Sequence, residues 1–134
     1  MMSGVAIIRS ILAANTALTA QVPATKILAG VIPLNTVLPA ISIAQISGVQ
    51  NNTLGMNGAK YLATDRVQVT VMAKTYPTQK QILELVRAAC PNTRGIINTF
   101  ACDSILPDTT GPDIYDSENI IYFQSLDFKV TFAR

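Results

Sequence analysis

Between Tyr61 and Cys90 the hydrophobic period of the chain changes from two to between three and four, with no break between the two regimes. Val67, Val69, Val71 and Ala73 alternate with Arg66, Gln68, Thr70 and Met72, which predicts a strand over Tyr61 to Lys74 with one face buried. At fourteen residues it far exceeds the usual strand of about five or six, so it either bends or leaves one end as an arm. From Thr78 onward Ile82, Leu85, Val86 and Ala89 form the buried stripe of a helix. Pro77 sits near its first turn, Thr78 and Gln81 offer a capping box, and Pro91 and Asn92 end it. Lys80, Glu84 and Arg87 supply the wet side, at spacings that allow modest ion pairs. A long strand tied directly to an amphipathic helix calls for a sheet with helices laid against it.

The rest of the chain supplies the partners. Ser3 can cap a helix over residues 4 to about 14, with Val5, Ile8, Ile11 and Leu12 on its apolar face, and Asn15 and Thr16 can cap a short second turn carrying Leu18. Pro23, Pro33 and Pro39 leave room only for short extended pieces, around Lys26 to Leu28 and Val31 to Ile32. Pro39 opens a firmer strand in which Ile41 and Ile43 share a face. Ser47 to Lys60, SGVQNNTLGMNGAK, reads as a long polar loop, either disordered at the surface or, as Leu54 and Met56 at its centre suit, ordered against a neighbour. A less regular strand follows over Ile96 to Leu106, then a turn-rich acidic connector from Pro107 to Asn119. The last strand is the clearest, with Leu126, Phe128, Val130 and Phe132 alternating with Asp127, Lys129 and Thr131. The sum is a single α+β domain over residues 1 to 134: a mostly antiparallel sheet of about four to five strands, with two main helices packed on one face.

Composition bears on how such a domain meets its surroundings. Apolar residues make up 49% of the 134 and charged residues 13%, about half the usual charged share, so either part of the surface is built for an oligomer contact or Ser, Thr, Asn and Gln cover it in place of charges. Residues 1 to 102 hold eight bases against two acids, and residues 103 to 134 hold six acids against two bases. Patches of opposite sign on opposite flanks would draw identical copies together head to tail, the geometry of a closed ring.

Chemistry is sparse. No histidine is present, which removes the commonest acid-base group and every Cys-His or Ser-His nucleophile. Cys90 and Cys102 cannot hold a metal by themselves and read as free buried thiols, with a disulfide as the alternative. The connector acids do not follow the spacing of a calcium loop, no phosphate-cradling glycine motif occurs, and no basic run tracks nucleic acid. The N-terminal segment has Arg9 inside its apolar run and no base before it, unlike a signal peptide, and no charge-free apolar stretch is long enough to span a bilayer. The expectation is a protein that is not an enzyme and carries no cofactor or metal.

Read end to end, LAANTALTAQV (Leu12 to Val22), PAISI (Pro39 to Ile43), DRVQVTVMAKT (Asp65 to Thr75) running into QKQILELVRAAC, and the closing SLDFKVTFAR resemble, in order, the phage tail-completion family of tail-terminator and tail-to-head joining proteins. The resemblance implies a structural virion protein in the tail or neck, assembled in the host cytoplasm. It implies a hexameric ring that ends the tail tube, contacts the tube protein on one side and a head-completion or neck protein on the other, and passes DNA through its bore.

Within that picture Asp108, Asp113, Asp116 and Glu118 either line the bore or meet bases such as Arg66 or Arg94 of the next subunit, and Val49, Asn51, Asn52, Leu54 and Met56 in the polar loop contact the tube or a neighbour. Two other readings stay open. One is a head-completion or minor tail protein of the same neck region; the other is a small-ligand-binding α+β domain outside viruses.

Overall fold

The computed structural model describes residues 3–30, 37–51, 62–90, 95–97, 100–118 and 120–133. The first helix, α1 (Ser3–Ala14), buries Val5, Ile7, Ile8 and Leu12. Its own first turn carries no acid, and the Gly4 N–H there donates instead to the carboxylate of Asp65, 3.1 Å away and 61 residues on. A single turn, α2 (Thr16–Thr19), is capped as expected by Asn15, whose side chain accepts the Leu18 N–H at 2.9 Å. A 3-10 turn over Ala24–Lys26 then leads into the short strand β1 (Ile27–Ala29).

Four long strands follow: β2 (Ala40–Asn51), β3 (Leu62–Ala73), β5 (Phe100–Thr110) and β7 (Ile121–Ala133). Two three-residue strands, β4 (Gly95–Ile97) and β6 (Ile114–Asp116), complete a sheet of seven among the described residues. Its order is β1-β2-β3-β7-β5-β4, with β6 continuing the line of β5 along β7. Only β1 runs parallel to its neighbour, so the expected mostly antiparallel sheet is what forms. The strands beyond four or five are the three-residue pieces, too short to carry a period of their own.

Several boundaries differ from the sequence reading, and the extended piece expected around Val31 to Ile32 lies outside the described residues. The single strand expected over Ile96 to Leu106 is two antiparallel strands, β4 and β5. Ser47 to Asn51 is not loop but the second half of β2, because each residue pairs with Arg66 to Leu62 of β3, across a register shift between Gln45 and Ser47. The same pairing, with Ala133 to Lys129 of β7 on the other side, means that the far end of β3 is no arm. The connector is likewise half strand, since β5 runs through Pro107 and Asp108 to Thr110 and β6 takes Ile114 to Asp116. Ladder bonds to β7 hold these polar stretches extended where local composition favours turns.

The helix α3 (Tyr76–Ala89) has Pro77 at its start as expected, but its N-cap is Thr75, not Thr78: the Thr75 hydroxyl accepts the Thr78 N–H at 3.4 Å. Thr75→Ala is expected to cost about 1 kcal/mol and lower the melting midpoint by about 3–5 °C, read by circular dichroism.

Both long helices cover one face of the sheet, α1 against β1, β2 and β3 and α3 against β3 and β7. The core lies between them. Val67, Val69 and Val71 of β3, Ile41 and Ile43 of β2, and Leu126, Phe128, Val130 and Phe132 of β7 meet Ile7, Ile8, Leu12, Ile82, Leu83 and Val86 in one apolar cluster. Each such side chain contributes about 1.5–3 kcal/mol by leaving water. Among the described residues no helix packs on the opposite face of the sheet, and that face carries a set of polar side chains.

Candidate functional site

The face opposite the helices is organised around Arg66. Strand parity places Thr64, Arg66, Gln68 and Thr70 of β3 on this side, beside Ser125, Asp127, Lys129 and Thr131 of β7. Hydroxyls close two cross-strand contacts, Thr64 to Thr131 at 3.1 Å and Thr70 to Ser125 at 3.0 Å. The Arg66 guanidinium donates to Asp127 Oδ2 from Nε at 3.1 Å and from Nη2 at 2.8 Å. Its Nε also lies 3.3 Å from Asp108 Oδ2, and its Nη2 donates to the Thr109 hydroxyl at 3.4 Å. Under this arginine Asp127 is only 8% exposed although no helix among the described residues covers it. An open depression of about 300 Å³ beside the arginine is lined by Ser47, Val49, Thr64, Arg66 and Lys129. Val49 at 60% exposure and the exposed Leu106 put apolar surface on the strands flanking it.

A second cluster sits at the other end of β7. Tyr115 and Tyr122 are cross-strand partners with ring centroids 4.5 Å apart, and Tyr76 meets Tyr122 edge-on at 5.8 Å. Lys80 Nζ donates to Asp113 at 2.6 Å and to the side-chain oxygen of Gln124 at 2.6 Å, and the Tyr76 hydroxyl donates to Asp113 at 2.8 Å. The Gln124 amide in turn donates to the Gly111 carbonyl at 2.7 Å. Ile114, Tyr115 and Ile120 stand exposed around this end, and Ile120 has a φ of 54°.

The hydrogen bond from Lys80, then that from Tyr76, holds the Asp113 carboxyl below the usual carboxylate range, and the same bond to Asp113 raises Lys80. A depressed carboxyl stabilises the fold above its ordinary pKa and loses that contribution as pH falls through the lowered value. Lys80→Met is therefore expected to move the Asp113 titration midpoint up, by more than Tyr76→Phe does, in a carboxyl-detected NMR titration.

The structure brings some of the sequence-predicted residues together. Arg66 and Asp108 meet within one chain, and Asp113 is held by Lys80 rather than by Arg66. Asp116 ends β6 and accepts the Glu118 N–H at 3.1 Å, with Glu118 exposed in the turn. Val49 lies exposed in β2 and Asn51 ends that strand. Asn52, Leu54, Met56 and Arg94 lie outside the described residues. The reading by sequence missed Asp127 and Lys129 as companions of Arg66, although both fall on the polar side of the clearest alternation in the chain. It missed Lys80 with Asp113, and Tyr76 with Asp113 and Tyr122, for a different reason, since nothing local joins positions more than thirty residues apart.

Cys90 and Cys102 are buried thiols, as expected of the pair, and no disulfide joins them. Burial pushes the Cys90 thiol up to about 12, so an alkylating reagent at pH 8 is expected to leave it unmodified in the folded protein and to label it on adding denaturant, followed by mass spectrometry. Among the described residues no group of three or more acids or cysteines could hold a metal ion, and no helix is long and apolar enough to cross a membrane.

The family described as "Tail completion protein gp17" matches residues 6–130. Among solved structures, a chain of "Virion of native gene transfer agent (GTA) particle" superposes with a TM-score of 0.77 at 14% identity, over 99% of this chain and 98% of that one. At that identity the likeness is one of fold. No curated protein matches the sequence.

Proposed function

The chain belongs to the tail completion protein gp17 family and is a structural protein of a phage tail; from that premise we propose that copies of it form a ring, six to the turn, at the head-proximal end of the tail. The ring ends the tube, meets the tube protein on one side and the head-completion or neck protein on the other, and lets DNA pass through its bore. The family match across residues 6–130 carries this reading.

Surface chemistry supports it. Ion pairs within the chain already use Arg66 with Asp108 and Asp127, Lys80 with Asp113, and Arg87 with Glu84. Beside these pairs and exposed charges such as Lys74, Glu118 and Lys129, the described surface offers apolar and amide side chains, the kind that fills the middle of protein interfaces. Among the described residues, exposed large hydrophobics gather in two places, Ile46, Val49 and Leu106 along the sheet edges and Tyr76, Ile114, Tyr115 and Ile120 at the β6 end of the sheet, with Val37 apart from both. A part that must touch its own copies and two other proteins needs more than one such surface. The bore and its acids, the hexamer and the order of neighbours along the particle all belong to this proposal.

The test is assembly without the chain. Tails made in its absence are expected to lack a terminal ring and to stay apart from heads in electron micrographs, and adding the purified protein should restore joining. Tails of normal length joined to heads without it would overturn the reading.

A further inference from the structure

We propose that neighbouring copies in the ring join edge to edge, the outer edge of β2 at Gln45–Val49 pairing with β5 at Leu106–Thr110 of the next copy, so that one antiparallel sheet continues around the ring. This rests on the ring reading and names the contact that would close it.

Two stretches of strand in this sheet are exposed at every residue, and both are five residues long: Gln45–Val49 and Leu106–Thr110. Side chains alternate between the two faces of a strand, so exposure at every residue means that neither face is covered there, and the open edge itself follows from where the neighbouring strands stop. On β2 the neighbouring β1 reaches only Ile41 to Ile43, and on β5 the short β4 reaches only Phe100 to Cys102. Beyond those ends, among the described residues, no strand lies outside Gln45–Val49 or Leu106–Thr110.

The two stretches also face each other correctly. The sheet alternates direction from β2 through β3 and β7 to β5, four strands in all, so its two long edge strands run in opposite senses. A rotated copy therefore presents β5 antiparallel to β2, the sense that continues the ladder. Height differs by about two residues. The row of Ser47 runs through Arg66 and Lys129 to Leu106, that of Val49 through Thr64 and Thr131 to Ser104, and that of Ile43 through Val69 and Leu126 to Thr110. Setting Gln45–Val49 against Thr110–Leu106 therefore staggers each copy by about two residues against the next, the kind of register offset that a sheet closed on itself takes up as strand tilt.

Side chains fit the same pairing. Gln45–Val49 carries no charge and no proline, and exposes Ile46 and Val49. Leu106–Thr110 exposes Leu106, contains Pro107, a residue that sheets tolerate at edges, and has its one acid, Asp108, tied to Arg66. Register shifts between Gln45 and Ser47 and between Pro107 and Thr110 spoil both edges as templates for an unrelated regular strand. An edge so shaped selects a partner of matching irregularity, and the chain itself supplies one.

The test is cysteine pairing in the full-length protein, with Val49→Cys and Leu106→Cys made singly and together. Mild oxidation of the double variant is expected to give a ladder of covalent multimers, at least about tenfold more than from either single variant. Dimers from Val49→Cys alone would show β2 meeting β2 and overturn the proposal. The guarding variants Ile46→Lys and Leu106→Lys should melt like the parent protein yet lose rings in light scattering and on tails. Rings that persist in both, or rings present without the ladder, would sink the edge contact and leave the ring reading standing. Absence of rings from the parent protein, both in solution and on tails, would remove the ring reading and this contact with it.

Discussion

Asp65→Ala is expected to destabilise the protein by about 2–3 kcal/mol and lower its melting midpoint by about 8–12 °C. Asp65 is 6% exposed and sits by strand parity on the helix-covered face of β3, between the buried Ala63 and Val67. A carboxylate there needs a partner, and the first turn of α1 provides it through the Gly4 N–H. The helix start gains both a hydrogen-bond acceptor and a negative charge beside its unsatisfied N–H groups. Two glycines make the room. A Cβ on Gly4 would stand 2.7 Å from Asp65 Cβ, and one on Gly48, the cross-strand partner of Asp65, 2.8 Å from its Oδ1. Asp65→Asn keeps an acceptor without the charge and should lose less than alanine does. Equal melting of Asp65→Ala and the parent protein in calorimetry would refute the capping role.

How much of this was legible depends on the range over which each feature is decided. The core strands β3 and β7 and the helix α3 carry regular periods over a dozen residues, and local steric and burial rules suffice to place them. The second half of β2 carries none: Ser47, Gly48 and Gln50 suit a turn as well as a strand, and only pairing with β3 decides between them. Pro107, where the sequence reading opened a connector, lies inside β5, and the ladder tolerates it because β5 is an outer strand at that point. Parity could have revealed more. It places Asp65 with the valines of β3 and Asp127 with the polar face of β7, so one acid was due to be buried under helices and the other to lie near Arg66. Register is the missing quantity, because Asp127 stands opposite Gln68 and reaches Arg66 only along the diagonal.

The Arg66 and Asp127 pair should show a marked asymmetry in a double-mutant cycle. Arg66→Met is expected to cost about 1–2 kcal/mol, because it strands the nearly buried Asp127 and also releases Asp108. The figure stays below the 3–5 kcal/mol typical of a fully buried pair because the Arg66 side chain is 37% exposed and water screens the attraction. Asp127→Leu should cost less than Arg66→Met, since Arg66 then keeps Asp108, the Thr109 hydroxyl and solvent. Combining the two removes the stranded charge, so the double variant should be more stable than Arg66→Met alone, with a coupling of about 1 kcal/mol in urea unfolding. Additive losses would mean that Asp127 does not depend on the arginine for its burial. The cycle also separates stability from assembly. Arg66 stands in the row that runs from Ser47 to Leu106, so a double variant that folds well still tests whether the edges at either end of that row need the ion pair to meet.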